Sequence, residues 1–126
     1  MRVGRRPMVH TESVERIRRA DAHADAVTLE VEGELDLATG ETLKRAVHGV
    51  LEQGAAKVRI DLSPTTFIDS GGLAALIAAA REVRDRRGDV LVACPKGSEA
   101  RVFIDLSGVG SLLGLTEAPP PPPSGG

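Results

Sequence analysis

Chemistry is most concentrated in one stretch, Ile60-Asp61-Leu62-Ser63-Pro64-Thr65-Thr66-Phe67-Ile68-Asp69-Ser70-Gly71-Gly72-Leu73, which passes from an alternating apolar run through a hydroxyl-rich turn into a helix start near Ser70. The first turn of a helix carries unpaired N–H donors and partial positive charge, which stabilise a phosphate or carboxylate brought to it. Ser70 is therefore a candidate for covalent modification. The plainer role of the same residues is structural: Asp69 or Ser70 caps the helix, worth about 1 kcal/mol, and Gly71 and Gly72 let the turn pack tightly.

Two enzymatic or ligand-binding readings of this region fail on their missing parts. Ile68-Asp69-Ser70-Gly71-Gly72 fits the nucleophile elbow G-x-S-x-G at every fixed position but the first. All three histidines, His10, His23 and His48, precede Ser70, whereas that hydrolase order runs serine, acid, histidine. Gly71-Gly72, together with Lys96-Gly97-Ser98, raises a nucleotide- or anion-sensing module as the alternative reading. Neither G-x-x-x-x-G-K-[ST] nor G-x-G-x-x-G is present, and Lys96 to Ser98 reads as a turn into a helix.

Metals and cofactors find no footing. His48 falls on a polar helix face beside Lys44 and Glu52, with no second histidine at ligand spacing. Cys94 is the single cysteine, so no intrachain disulfide or cysteine cluster forms, and at the end of an apolar strand it reads as a small core residue. The expectation is an unmetallated protein without a cofactor.

Composition narrows the partners. Sixteen basic and eighteen acidic side chains leave a formal charge of -2 on 126 residues, giving no general attraction to nucleic acid or an anionic membrane. The longest apolar run, Leu73 to Ala80, is far below the roughly 20 residues of a membrane-spanning helix. The start, MRVGRRPMVH, lacks an apolar segment of about 7 to 15 residues for export. A cytoplasmic protein is expected. Only Phe67 and Phe103 are aromatic, so the core must be aliphatic.

The domain expected to hold these residues spans 11–118, between a basic arm at 1–10 and a Pro/Ser/Gly tail at 119–126. Val14 to Ile17 is a weak strand joined by a polar connection at 20–26 to a stronger one bearing Val27, Leu29 and Val31 on one face. A helix begins at about Glu41, with Leu43, Ala46, Val47, Val50 and Leu51 on its inner face, ending at Gly54. Val58, Ile60 and Leu62 mark the next strand, and Ser63 to Thr66 a turn. The second helix carries Leu73, Leu76, Ile77, Ala80 and Val83 inward. Val90 to Ala93 is a third buried strand, Ser98 to Ser107 a helix with Val102, Phe103 and Leu106 inward, and Ser111 to Leu115 a last edge segment. Strands alternating with amphipathic helices predict an α/β fold: a mixed sheet, an antiparallel hairpin plus parallel strands, packed with helices. In such sheets the carboxyl ends of the strands carry the binding edge, and 63–72 lies there. On the second helix, Ala74, Ala75 and Ala78 fall opposite the inward stripe, which predicts a smooth outer face for docking another helix.

IDLSPTTFIDSGGLAAL resembles the signature of the STAS domain of bacterial anti-sigma-factor antagonists, and GELD at 33–36 resembles that family's other recurring segment, in matching order and separation. The resemblance covers about Thr11 to Glu117. It implies a STAS-like fold and a non-enzymatic protein that binds an anti-sigma factor, often itself a serine kinase, and so frees a sigma factor for transcription. Partner-binding residues would be Asp36, Asp69, Ser70, Gly71, Gly72, Leu73 and Ala75, on a monomer or weak homodimer. Family members commonly carry Asp-Ser-Ser-Gly-Leu at the second helix start, the second serine accepting phosphate. Here Asp69-Ser70-Gly71-Gly72-Leu73 puts Gly71 at the acceptor position. Either Ser70 serves instead as the phosphorylation site, or this member is not phosphorylated there.

Overall fold

Val27, Leu29 and Val31 alternate with Thr28 and Glu30, and Val58 and Ile60 with Lys57 and Arg59; these runs form the parallel strands β2 (Ala26–Val31) and β4 (Lys57–Asp61), Leu29 opposite Ile60. The computed structural model describes residues 17–23 and 25–117, so the expected arm at 1–10, the strand candidate at 14–16 and the tail at 119–126 lie outside the described residues. Around the central pair the chain adds β1 (Ile17–His23), β3 (Gly33–Leu35), α1 (Leu37–Glu52), β5 (Thr65–Ile68), α2 (Ser70–Asp85), β6 (Asp89–Ala93), α3 (Glu99–Ser107), α4 (Gly110–Leu113) and β7 (Leu115–Thr116).

The main sheet has the order β1-β2-β4-β6-β7, antiparallel between β1 and β2 and parallel elsewhere, as the alternation of elements predicts. Each parallel crossover moves one strand further in the same direction. Right-handed connections of that kind place all the crossover helices on one face of the sheet. The aliphatic core lies between sheet and helices, and its fully buried members include Val31, Leu43, Val47, Ile60, Leu76, Val83 and Ile104.

Several expectations need correction. β1 runs through His23, where a polar connection was expected. Its backbone pairs with β2 across a bulge between Arg19 and Asp21, and Arg18 is compensated by Glu30 at 2.9 Å. α1 begins at Leu37 rather than Glu41, because Asp36 caps it. Thr65 and Thr66 belong to β5 rather than to a turn. In α3 the inward residues are Ala100 and Ile104, one helical turn apart; Phe103 is half-buried, while Val102 and Leu106 stand out at 49% and 83% exposure. The expected edge segment is a short helix, α4, followed by β7.

Candidate functional site

The two sequence motifs meet because two parallel strands are each prolonged beyond a bend. β3 follows β2 and β5 follows β4, and the prolongations pair in parallel, Leu35 opposite Ile68. Gly33 turns the chain between β2 and β3 with a φ of 80°, a conformation that costs glycine little. Its N–H donates to the Pro64 carbonyl at 3.0 Å, and the buried Thr65 hydroxyl donates to the Val31 carbonyl at 2.7 Å. These bonds fix the bend in both chains at once.

Each prolongation ends in an aspartate that starts a helix. Asp36 accepts from the Thr39 N–H at 2.9 Å and caps α1; Asp69 accepts from the Gly72 N–H at 2.8 Å and caps α2. With Leu35 and Ile68 in register, the two caps stand side by side, and the Asp69 N–H donates to the Leu35 carbonyl at 3.3 Å. Gly72 is buried against that carbonyl, which any β-carbon at this position would overlap. The glycine is a packing requirement, independent of any ligand.

At the start of α2 the expected site residues divide. Ser70 is exposed, Asp69 and Gly71 are half-buried, and Asp36 is half-buried beside them. Gly72, Leu73 and Ala75 are buried. The expected outer face of alanines is thus corrected at Ala75, which is 5% exposed, although Ala74 is exposed. A small-residue surface does admit another helix closely, but that helix is the chain's own α1: a β-carbon on Gly40 would lie 2.5 Å from that of Ala75.

Two exposed apolar residues that sequence reasoning did not assign to the site flank it. Leu37, 63% exposed, follows the Asp36 cap and lies against Gly71; Phe67, 46% exposed, precedes the Asp69 cap. Their position immediately beside the two capping aspartates was the signal available in the sequence. The resulting surface joins an accessible hydroxyl to apolar side chains, a composition suited to gripping a protein partner.

Elsewhere, the side chains with chemical potential are occupied structurally. Cys94 is fully buried, and burial pushes its thiol pKa up. Ser98 caps α3 by accepting from the Arg101 N–H at 3.1 Å, so Lys96 to Ser98 forms the turn expected of it. His48 Nδ1 meets Glu82 at 2.8 Å, and Arg86 bridges Glu82 at 3.4 Å and Glu52 at 2.8 Å, tying α1 to α2 on the surface. Among the described residues no cluster of histidine, cysteine and carboxylate side chains is disposed to hold a metal ion. No helix among them is long and apolar enough to cross a membrane.

Comparison with known proteins agrees with this fold. The family model described as the STAS domain matches residues 18–118. An anti-sigma factor antagonist from Mycobacterium paratuberculosis is 27% identical and superposes with a TM-score of 0.68 over 81% of this chain and 86% of that one. The anti-sigma factor antagonist SpoIIAA in its unphosphorylated form is 18% identical, with a TM-score of 0.63 over 81% of this chain and 88% of its own. The phosphorylated form of the Bacillus cell fate determinant SpoIIAA is 21% identical, with a TM-score of 0.60 over 79% and 90%.

Proposed function

Because the chain belongs to the STAS domain family, we propose that it acts as an anti-sigma-factor antagonist, docking the start of α2 onto an anti-sigma factor of the serine-kinase type and so freeing a sigma factor for transcription. The observation that carries this reading is the exposed Ser70 hydroxyl, directly after the capping Asp69, on a surface that also exposes Leu37 and Phe67. The structural likeness to an antagonist 27% identical to it supports the same role. The protein works in the cytoplasm, as a monomer or weak homodimer, by binding rather than catalysis.

Phosphorylation at Ser70 is the switch this surface offers. The first turn of α2 tolerates a phosphate locally. In a docked complex the same group sits beside Asp69, a like charge, and must shed its hydration, so the complex dissociates. That SpoIIAA has a phosphorylated and an unphosphorylated form is consistent with such a switch in this fold. Of the other hydroxyls in the motif, Ser63 and Thr66 are exposed, whereas Thr65 is buried and bonded to Val31 and so is withdrawn from a kinase.

Calorimetry of the purified chain with the anti-sigma factors of its own genome tests the docking surface. Ser70→Trp should leave the fold intact and weaken binding by at least about tenfold, or 1.4 kcal/mol. Undiminished affinity in a folded Ser70→Trp variant removes the site. Incubation with ATP and the cognate kinase, followed by mass spectrometry, should place phosphate on Ser70; phosphate on Ser63 or Thr66 relocates the switch, and binding without phosphate leaves an unswitched antagonist.

A further inference from the structure

α3 carries two apolar stripes where its own core needs one. Ala100 and Ile104, one turn apart, are fully buried and turn toward the core. Val102, Phe103 and Leu106, with Glu99 a turn before them, recur at the spacing of a second helical face. That face and the end of β5, Phe67 and Ile68, line a groove of about 430 Å³. Ile68 belongs to the core and the half-buried Phe103 packs against it, so these two form the floor. The walls are not used by the core: Phe67 and Val102 are about half exposed, and Leu106 is mostly so. Apolar side chains gathered in this way mark a contact surface.

The charges beside the groove indicate the sign of what fits it. Glu99, at the start of α3, is exposed and has no hydrogen-bond or ion-pair partner among the described residues. On the far side of Phe67, Glu34 stands in register with it across the β3–β5 pair, exposed and equally without a partner among them. The cations close to Glu99 in the chain are occupied: Lys96 pairs with Glu117 at 3.4 Å, and Arg101 pairs with Asp105 at 3.0 Å and donates to the Cys94 carbonyl at 2.8 Å. An apolar strip between two uncompensated carboxylates complements apolar side chains flanked by Lys or Arg.

The shape favours a helix over a strand. Val102 and Leu106 are one turn apart on the groove's wall, and a ridge of side chains at that same spacing is what a second helix presents. β5 is only four residues long and offers little ladder to an added strand.

We infer that this groove receives a basic amphipathic helix of the protein that docks over Ser70, its apolar residues against Phe67, Val102 and Leu106 and its Lys or Arg residues facing Glu99 and Glu34. The inference rests on the docking reading above, because Phe67 and Ile68 directly precede Asp69 and Ser70 and so join the groove to the exposed turn of α2. It extends the contact from that turn onto α3.

Calorimetry with the anti-sigma factor that binds the parent chain separates the groove from the turn. Leu106→Ser alters a mostly exposed side chain; it should leave the fold intact and weaken binding by about tenfold. Glu99→Lys should weaken binding as well and flatten its decline with added salt. Undiminished affinity in Leu106→Ser, with Ser70→Trp impaired, overturns the groove and leaves the docking turn standing; if neither variant is impaired, or no anti-sigma factor binds the parent, both readings fall. Tighter binding by Glu99→Lys means an acidic partner and overturns the inference. Hydrogen exchange in the complex should slow the amides of 102–107 and, on the anti-sigma factor, a segment with apolar residues three and four apart beside Lys or Arg; slowing confined to a segment without that pattern overturns it. Sedimentation of the chain alone should not distinguish Leu106→Ser from the parent, and a dimer lost in the variant would seat a second copy in the groove instead.

Discussion

Gly40 in α1 meets Ala75 in α2 so closely that a β-carbon on the glycine would lie 2.5 Å from the alanine's own. The two helices rest on each other through small residues, and this contact holds their capped starts together. Gly40→Ala should therefore lower stability by roughly 1 to 2 kcal/mol in urea unfolding, overpacking outweighing the gain in helix propensity. Gly49 in the same helix has no atom within 4 Å of its would-be β-carbon. Gly49→Ala should accordingly stabilise by up to about 1 kcal/mol. Equal signs for the two variants would contradict the packing.

In the first turn of α2 the capping residue and the exposed hydroxyl are different side chains. Asp69→Ala removes the cap to the Gly72 N–H and should cost about 1 kcal/mol. Ser70→Ala, at an exposed position, should change unfolding by no more than about 0.5 kcal/mol. A loss at Ser70 as large as at Asp69 would show the hydroxyl to be a structural cap.

Cys94 should be inert to thiol reagents in the native protein and react once the protein is unfolded. Burial raises its pKa above the ordinary value of 9.0, so the unfolded chain gives up the thiol proton at lower pH than the folded one. The neutral thiol's contribution is whole below 9 and is lost as pH climbs through that value toward the folded one. Urea midpoints measured on the alkaline side should fall less steeply in Cys94→Ala than in the parent.

Glu52 titrates below the usual glutamate range, chiefly through its hydrogen bond and charge attraction to Arg86, with His48 adding to it. Its carboxylate is held above the ordinary glutamate pKa and is released as pH falls through the lowered one. The pair is in open solvent, so the readout is the titration midpoint itself. A carbon-detected NMR titration should place that midpoint below the other glutamates, and Arg86→Gln should move it up. No movement would mean the ion pair does not form.

The sequence carried the layered architecture through its strongest periodicities. β2 and β4 were legible because Val27, Leu29 and Val31, and Val58 and Ile60, alternate without interruption. The stripe of Leu73, Leu76, Ala80 and Val83 located the inward face of α2. β1 was hidden because IRRADAH offers too little apolar alternation, its order coming from pairing with β2. β5 was hidden because a short strand that buries Thr65 and Ile68 and exposes the two residues between them has no period-two pattern. Ala75 was misplaced because α2 packs on two sides, against the sheet with large residues and against α1 with small ones. The site's two segments were visible as motifs; that they adjoin was not, since the adjacency arises from pairing between β3 and β5.

Within a single helical turn, then, one residue stands free and another two places later is hemmed in by the Leu35 carbonyl. A library randomised at position 70 should yield a family of well-folded proteins with divergent partner preferences, while one randomised at position 72 should return almost only glycine. The rim of this turn is accordingly open to change, while the keystone beneath it is fixed by packing.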